Sequence, residues 1–238
     1  GSRLESLPTR EILGVPVHAL TMDQVVEICR EAALARRRLM IAVVNAAKLV
    51  KMRSDPGLRA SVLGSDLILA DGMSVVWASR LLGRGLPERV TGIGLFERLI
   101  EEAAREGLSV YFLGASQEVL DLVVLRTRER HPGLQIAGSR NGYFRDEEQE
   151  DVALDISRAR PDFLFVGIST PKKEIFLDRW ASRADVTVCH GVGGSFDILA
   201  GKTARAPDSW QRYGFEWLYR VLQEPRRMWK RYLVTNTT

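Results

Sequence analysis

The segment LSVYFLGA, residues 108–115, has the composition of a strand buried inside a parallel sheet. Apolar, aromatic and β-branched residues follow one another with almost no polar interruption, because both faces of such a strand are covered by helices. The segment ends in the small residues Gly114 and Ala115, and a helix is predicted from Ser116. Strand, small-residue turn and helix in this order predict one unit of an α/β sheet.

The same unit recurs on both sides of this segment. Apolar runs predict further strands at residues 39–44, 66–70, 134–138, 162–168 and 186–191. Residues 11–20 predict a short strand or a pair of extended segments around Pro16. Because strand and helix alternate about six times, the sequence predicts an α/β fold with a mostly parallel sheet and helices on both faces.

Helical spacing, caps and prolines predict the helices between these strands. Thr21 or Asp23 caps the first helix, and Pro171 opens a later one. Further helices are predicted at residues 46–55, 73–83, 95–106, from 116 onward, 146–159 and 171–182. The stretch RGLPERVTGIG, residues 84–94, is predicted as a loop.

The composition restricts the class of protein. With 238 residues, 45% hydrophobic and 27% charged, the chain suits a soluble globular protein with one α/β domain and an appendage. Cys29 and Cys189 lie far apart without metal-site spacing, which fits a reducing cytosol. No apolar run approaches the about 18 residues of a membrane span, so any membrane contact is expected to be peripheral. Gly1-Ser2 is interpreted as an expression remnant, and a membrane segment upstream of Arg3 stays open.

The positive charge of the chain is concentrated at its C-terminus. Residues 202–238 hold eight basic and three acidic residues, a balance of +5, whereas residues 1–201 carry −1. Three of the five tryptophans lie in the same stretch. A basic, aromatic tail is typical of a surface for phosphate or for a membrane interface, and also of a solvated amphipathic helix packed on its own domain. We therefore divide the chain into a main domain, residues 3–204, and a basic helical appendage, residues 205–238.

In open α/β sheets, ligands bind beyond the carboxyl ends of the strands. Residues that follow predicted strands are therefore candidates for binding substrate: Asn45, Asp71, Gly114, Ala115, Thr170, Lys173, Glu174, Gly193, Gly194 and Asp197. The small-residue turns at Gly114 and Gly193 would let backbone N–H groups approach a phosphate, although tight packing of strand against helix explains them equally well. Thr170 and two lysines after a third strand add to the case for a nucleotide-like ligand.

Asp71 follows a predicted strand and precedes Gly72. Its carboxylate could cap the helix predicted from Met73, which the spacing alone favours, or act as a general base toward a substrate hydroxyl. His190, beside the second glycine turn, could contact a ligand, but a structural role is favoured. The sequence has no HExxH motif and no metal-spaced cluster of His and Asp residues, so a bound metal is not predicted. It also lacks the GxGxxG fingerprint that a dinucleotide oxidoreductase would need.

A set of motifs gives the chain a family resemblance. The C-terminal motifs are GVGGSFD (191–197), RAP (205–207), GFEW (214–217) and WLYRVLQEPRR (217–227). The earlier ones are Asn45, ADGM (70–73), RVTG (89–92), YFLGA (111–115), NGYF (141–144) and GISTPKKE (167–174). From about residue 11 to residue 233, the chain resembles the WecG/TagA/CpsF family of bacterial glycosyltransferases.

The resemblance implies a Rossmann-like catalytic domain and an inverting glycosyltransferase that needs neither a metal nor a cofactor. The donor would be a UDP-sugar carrying glucose, N-acetylmannosamine or its uronic acid. The acceptor would be a polyprenyl-diphosphate-linked sugar in cell-surface polysaccharide synthesis. The protein would be cytoplasmic and peripheral at the inner face of the cell membrane, with residues 205–238 against that surface. Homo-oligomer formation stays open, and no nucleic-acid-binding motif is present.

The resemblance also assigns roles to individual residues. The aspartate of the ADG motif, Asp71, is implied as the catalytic base. Tail arginines are implied to close over the donor diphosphate. By motif position these are Arg220 and Arg227, with Lys230 and Arg231 beyond them.

Three positions depart from the family pattern. Val43 stands where threonine is frequent, Lys173 where glutamine is usual, and Gly94 where an acid is usual. These side chains would line the donor pocket, so the donor sugar is left open, and Lys173 would suit an anionic sugar or a phosphate. The alternative is a catalytically impaired module of the same fold that binds nucleotide sugar or membrane, but the retained Asp71 argues against it.

Overall fold

The computed structural model describes Leu4, residues 6–71, Gly83, residues 85–204, Pro207 and Tyr219. The strands are β1 (Thr9–Ile12), β2 (Val15–His18), β3 (Leu39–Val44), β4 (Leu67–Ala70), β5 (Ser109–Gly114), β6 (Gln135–Arg140), β7 (Phe163–Gly167) and β8 (Val188–Gly191). The helices are α1 (Met22–Leu34), α2 (Ala46–Ser54), α3 (Pro56–Leu63), α4 (Gly92–Glu106), α5 (Gln117–Arg130), α6 (Gln149–Ala159), α7 (Lys172–Trp180) and α8 (Ser195–Leu199). A turn of 3-10 helix, Asp146–Glu148, precedes α6.

Strands β3 to β8 form one six-stranded sheet in the order β4-β3-β8-β7-β5-β6. Every neighbouring pair in it is parallel. The predicted α/β fold with a mostly parallel sheet is therefore confirmed. Strands β1 and β2 form a separate antiparallel hairpin, so the paired arrangement around Pro16 is the one that occurs.

Helices cover both faces of the sheet. On the first face, α1, α4, α5 and α8 pack over a core that contains Phe96, Phe112, Phe165 and Phe196. The rings of Phe96 and Phe165 meet edge to face with their centroids 4.8 Å apart. On the second face, α6 and α7 pack over one cluster, and the hairpin with α2 and α3 packs over another. Because the central strands are buried on both faces, they appear in the sequence as continuous apolar runs.

Two helix starts follow from side-chain caps. Thr21 accepts a hydrogen bond from the N–H of Gln24, and the Gln24 side chain accepts one from the N–H of Thr21, which fixes the start of α1 at the first of the two predicted caps. Asp55 caps α3 by accepting from the N–H of Leu58 at 2.9 Å, and Pro56 occupies the first helical position. The sequence reading did not separate α3 from the predicted helix 46–55, which in fact ends at Ser54.

The loop prediction for residues 84–94 is wrong at its C-terminal end. Helix α4 begins at Gly92, because Thr91 Oγ1 accepts a hydrogen bond from the N–H of Gly94 at 3.0 Å and caps the helix. Two glycines therefore lie in the first turn of a helix, although their composition favours a loop. The cap, together with the buried apolar face that follows it, outweighs the low helix propensity of glycine.

The helices that follow β5 and β7 lie on opposite faces of the sheet. Strands β5 and β7 are neighbours, so the connections that leave their carboxyl ends run to opposite faces of the sheet. Ligands of open α/β sheets bind at such a point. The backbones approach closely here. Gly114 has a φ of +138°, and a Cβ atom on it would lie 2.5 Å from the carbonyl of Gly167. Only glycine fits at this position.

The helix predicted at residues 73–83 and the appendage at 205–238 lie outside the described residues, apart from Gly83, Pro207 and Tyr219. Within the described residues, no helix is long and apolar enough to span a bilayer.

Candidate active site

Two predicted site residues lie side by side at the carboxyl edge of the sheet. Val44 of β3 pairs with Ala70 of β4, so Asn45 and Asp71 each follow a paired residue. The N–H of Asp71 donates to the carbonyl of Val44 at 2.8 Å. Asn45 Oδ1 accepts from the N–H of Lys48 at 2.9 Å and thereby caps α2. This edge of the sheet therefore presents a half-buried carboxylate next to the start of a helix.

The backbone N–H and carbonyl of Gly92 link Asp71 to His190. The N–H of Gly92 donates to Asp71 Oδ2 at 3.3 Å. The carbonyl of Gly92 lies 2.9 Å from His190 Nε2, and since a carbonyl can only accept, Nε2 carries the proton. His190 Nδ1 is buried and has no hydrogen-bond partner among the described residues. The first turn of α4 is thus fixed on one side by a buried imidazole while it contacts the Asp71 carboxylate on the other.

A second group of charged residues forms what we call the lysine cluster: Lys48, Lys173 and Glu174. Both ammonium groups lie 3.1 Å from Glu174 Oε1. Lys48 also donates to the carbonyl of Val43 at 3.1 Å, and Thr170 Oγ1 donates to the same carboxylate oxygen at 3.2 Å. Lys48 follows β3, and Lys173 and Glu174 follow β7. The cluster therefore joins the first turns of α2 and α7 across the intervening strand β8.

Burial and neighbouring charges lower the pKa values of Lys48, Glu174 and His190. Burial, and then the charge of Lys173, lowers the pKa of Lys48 to about 8. Burial alone would raise the pKa of Glu174, but the charges and hydrogen bonds of the two lysines outweigh it and lower the pKa to about 2. Burial lowers the pKa of His190 to about 4, against the opposing effect of its hydrogen bond to Gly92. At neutral pH the carboxylate of Glu174 is ionised and His190 is neutral.

The predicted glycine turns have different surroundings. Gly114 packs against Gly167, and the carbonyl of Ala115 accepts a hydrogen bond from the N–H of Gly142 at 2.9 Å. By contrast, a Cβ atom added to Gly193 or Gly194 would meet no described atom within 4 Å. The first turn therefore has the tight packing that the sequence left as an alternative, while no described atom packs against the second.

Residues 10–238 match the glycosyl transferase WecG/TagA/CpsF family. The chain belongs to the WecG/TagA/CpsF family.

Two relatives are each 37% identical to the chain over the residues that align. The first, from Bacillus spizizenii strain W23, matches over 179 residues, which is 75% of this chain and 68% of the relative. The second, from Bacillus subtilis strain 168, matches over 169 residues, 71% of this chain and 65% of the relative. Both are named N-acetylglucosaminyldiphosphoundecaprenol N-acetyl-beta-D-mannosaminyltransferase.

The WecG/TagA/CpsF resemblance also assigned tail residues to the site. Arg220, Arg227, Lys230 and Arg231 lie outside the described residues, so their roles remain predictions. Asp197, at the start of α8, is half-buried, and its carbonyl accepts from the N–H of Lys202 at 2.9 Å. In the part of the chain that the structure describes, no three His, Cys, Asp or Glu side chains lie close enough together to hold a metal ion.

The sequence did not point to every residue that the structure places in the candidate site. Lys48 and Gly92 were not singled out, and His190 was interpreted as structural. Lys48 carried a usable signal, because it lies in the first helical turn after a predicted strand. The pairing of Lys48 with Glu174, 126 positions apart, had no local signal.

Proposed function

We propose that this chain is an inverting glycosyltransferase that transfers a hexose from a UDP-sugar to a polyprenyl-diphosphate-linked sugar in cell-surface polysaccharide synthesis. The observation that carries this proposal is the family match over residues 10–238. The position of Asp71 at the carboxyl edge of a parallel sheet supports it, because substrates of open α/β enzymes bind at that edge.

Asp71 is proposed as the general base. Its carboxylate takes the proton from the acceptor hydroxyl while the hydroxyl oxygen forms a bond to the anomeric carbon of the donor. The bond from that carbon to the diphosphate oxygen breaks on the opposite side, and UDP leaves as an anion. A well-placed general base contributes about 10²–10⁴-fold to such a step.

The leaving diphosphate needs positive charge. We propose that Arg220 and Arg227 supply it, since a guanidinium can form two parallel hydrogen bonds to phosphate oxygens. With these cations over the leaving group, the reaction is proposed to need no metal and no further cofactor. The basic, tryptophan-containing residues 205–238 are proposed to hold the protein at the inner face of the cell membrane, where a lipid-linked acceptor would be found.

The names of the two Bacillus relatives favour N-acetylmannosamine as the transferred sugar and N-acetylglucosaminyl diphosphate on a polyprenyl lipid as the acceptor. Glucose and N-acetylmannosaminuronic acid are the other candidates, because Val43, Lys173 and Gly94 depart from the family pattern at positions expected to line the donor pocket.

A donor panel tests this proposal. The full chain is incubated with N-acetylglucosaminyl-diphosphate-polyprenol and, in turn, with UDP-N-acetylmannosamine, its uronic acid and UDP-glucose, each with and without EDTA. We expect one donor to yield lipid-extractable product and UDP in equal amounts, at the same rate with the chelator. UDP release from none of the donors would contradict the proposed reaction, and loss of activity with EDTA would contradict its metal independence.

A further inference from the structure

We infer that the lysine cluster is a subsite for an anionic group of the substrate, with Lys48 as a second cation beside Lys173. The identity of the ligand rests on the proposed function, whereas the anion site rests on the charges and contacts of the cluster. The proposed reaction gives Lys48 no other role.

The cluster lies where a ligand of this fold would reach it. Lys48, Lys173 and Glu174 occupy first helical turns that follow β3 and β7, and the Lys173 ammonium lies against Gly191 at the end of β8. These are three adjacent strands in the middle of the sheet. A Cβ atom on Gly191 would lie 2.7 Å from Lys173 Nζ, so a larger residue there would displace the ammonium.

The cluster adjoins the Asp71 carboxylate across β3. Lys48 donates to the carbonyl of Val43 at 3.1 Å. A Cβ atom on Gly92 would lie 3.8 Å from Val43 Cγ1 and 3.6 Å from Asp71 Oδ2. Val43 is therefore in contact with the lysine cluster through its backbone carbonyl, while its side chain and the Asp71 carboxylate both lie near Gly92. A ligand at the edge of the sheet can reach both groups.

The charges of the cluster do not balance. Its described members supply two ammonium groups and one carboxylate, and the neighbouring His190 is neutral at pH 7. The side chains of Lys48 and Lys173 are only 14% and 11% exposed, so water screens the excess positive charge poorly. An anionic group of a ligand that joins the cluster would offset this excess charge. Burial, and then the charge of Lys173, lowers the pKa of Lys48.

An unused acceptor lies in the same cluster. Glu174 Oε1 receives the bonds from both lysines and from Thr170, whereas Glu174 Oε2 is buried and has no hydrogen-bond partner among the described residues. A buried carboxylate oxygen without a donor is costly. A ligand that carries a hydroxyl or amide next to its anionic group would satisfy this oxygen and the two ammonium groups together.

Two parts of a nucleotide sugar could supply the anion: the diphosphate, or a carboxylate on the sugar. We therefore measure the binding of pyrophosphate, UDP, UDP-glucose and UDP-glucuronic acid to the full chain by isothermal titration calorimetry at pH 7. The variants are Lys48→Gln and Lys173→Gln, each of which removes one charge. Lys172→Gln is the matched control, because Lys172 lies on the same helix but donates to the carbonyl of Phe144, outside the cluster.

We expect the two cluster variants to weaken binding at least tenfold, the effect of one lost charge-assisted hydrogen bond, and Lys172→Gln to change it less than threefold. Equal weakening of pyrophosphate, UDP and UDP-glucose assigns the anion to the diphosphate. Weakening of UDP-glucuronic acid alone assigns it to a sugar carboxylate. Unchanged affinities in both cluster variants, or no binding of any of the four ligands to the wild-type protein, would overturn the inference.

Two further measurements keep the outcome unambiguous. Thermal unfolding identifies any variant that is not folded. The double variant Lys173→Gln with Glu174→Gln removes one charge of each sign, so that Glu174 is not left as a buried carboxylate with fewer partners. It keeps the net charge of the cluster and is expected to weaken binding less than Lys173→Gln alone. Transfer is assayed separately with the wild-type protein. Lysine-dependent binding without transfer would reject the proposed function and leave the subsite standing, while transfer with lysine-independent binding would do the reverse.

Discussion

His190 shows how a single residue stabilises the start of α4. Its ring lies in the first-face core, edge to face with Phe165 at 6.4 Å, and its Nε2–H donates to the carbonyl of Gly92. The N–H of the same glycine contacts Asp71. A neutral imidazole is required for this arrangement, because a buried charge would lack a counterion.

His190 therefore makes stability depend on pH. Burial lowers its pKa in the folded protein to about 4, below the ordinary value of 6.5. As pH falls through 6.5 toward 4, the unfolded chain binds the proton first and is favoured. We expect His190 to account for a loss of about 3 kcal/mol in the free energy of unfolding between pH 7 and pH 4.

Urea unfolding at pH 7, 5 and 4 measures this effect, with His190→Gln compared against the wild-type protein. The variant keeps a side-chain donor but does not titrate, so its stability should fall less steeply with acid. His131→Gln, at the end of α5, serves as the control and should follow the wild-type slope. Parallel slopes for all three proteins would show that His190 does not carry the pH dependence.

At the scale of elements, the close approach of β5 to β7 depends on Gly114. Alanine there would combine an unfavourable φ of +138° with a Cβ atom 2.5 Å from the backbone of Gly167. We expect Gly114→Ala to lower the free energy of unfolding by about 2–6 kcal/mol, since backbone strain and overpacking each cost about 1–3 kcal/mol.

Gly107→Ala is the matched control for this prediction. Gly107 also has a positive φ, +68°, but no described atom lies within 4 Å of its added Cβ. Gly107→Ala should lower the free energy of unfolding by about 1–2 kcal/mol, the cost of the left-handed conformation alone. Chemical unfolding of both variants checks the difference, and equal losses would mean that the contact with Gly167 contributes nothing.

The elements also show what the sequence could and could not predict. Apolar runs such as residues 108–115 identified the strands that are buried on both faces, because such burial leaves a local pattern. The edge strand β6, which has no buried residue, was also predicted, from the shorter run at residues 134–138. The start of α4 was missed, since Gly92 and Gly94 suggest a loop and only the Thr91 cap reverses this. Part of the candidate site could be predicted, because residues that follow strands can be named from the sequence. The hydrogen bond between Lys48 and Glu174 could not, because it depends on the order of the strands in the sheet.

At the scale of the whole molecule, the charge division between the near-neutral residues 1–201 and the basic tail leads to a further prediction. A chain ending at Ala204 should lose binding to vesicles that contain anionic lipid, because each basic residue near such a surface contributes about 1 kcal/mol. Vesicle sedimentation of the full and shortened chains checks this. Equal sedimentation would reject a membrane role for residues 205–238.

The shortened chain also tests whether the tail completes the active site. If Arg220 and Arg227 stabilise the leaving diphosphate, removal of residues 205–238 should abolish transfer while binding of a UDP-sugar stays measurable by calorimetry. Transfer at the full rate by the shortened chain would show that the leaving group is stabilised by the main domain.

The central claim is that the whole chain transfers a sugar with Asp71 as its base. The most direct measurement compares the wild-type protein, Asp71→Asn and Asp66→Asn for transfer of labelled N-acetylmannosamine from its UDP-sugar to N-acetylglucosaminyl-diphosphate-polyprenol, or of the sugar that the donor panel selects. Asp66 is the matched control, because it precedes the same strand and accepts a hydrogen bond from the N–H of Met40. The account predicts label in the lipid fraction with the wild-type protein and Asp66→Asn, and a rate about 10²–10⁴-fold lower with folded Asp71→Asn. Transfer by folded Asp71→Asn near the wild-type rate would contradict the account.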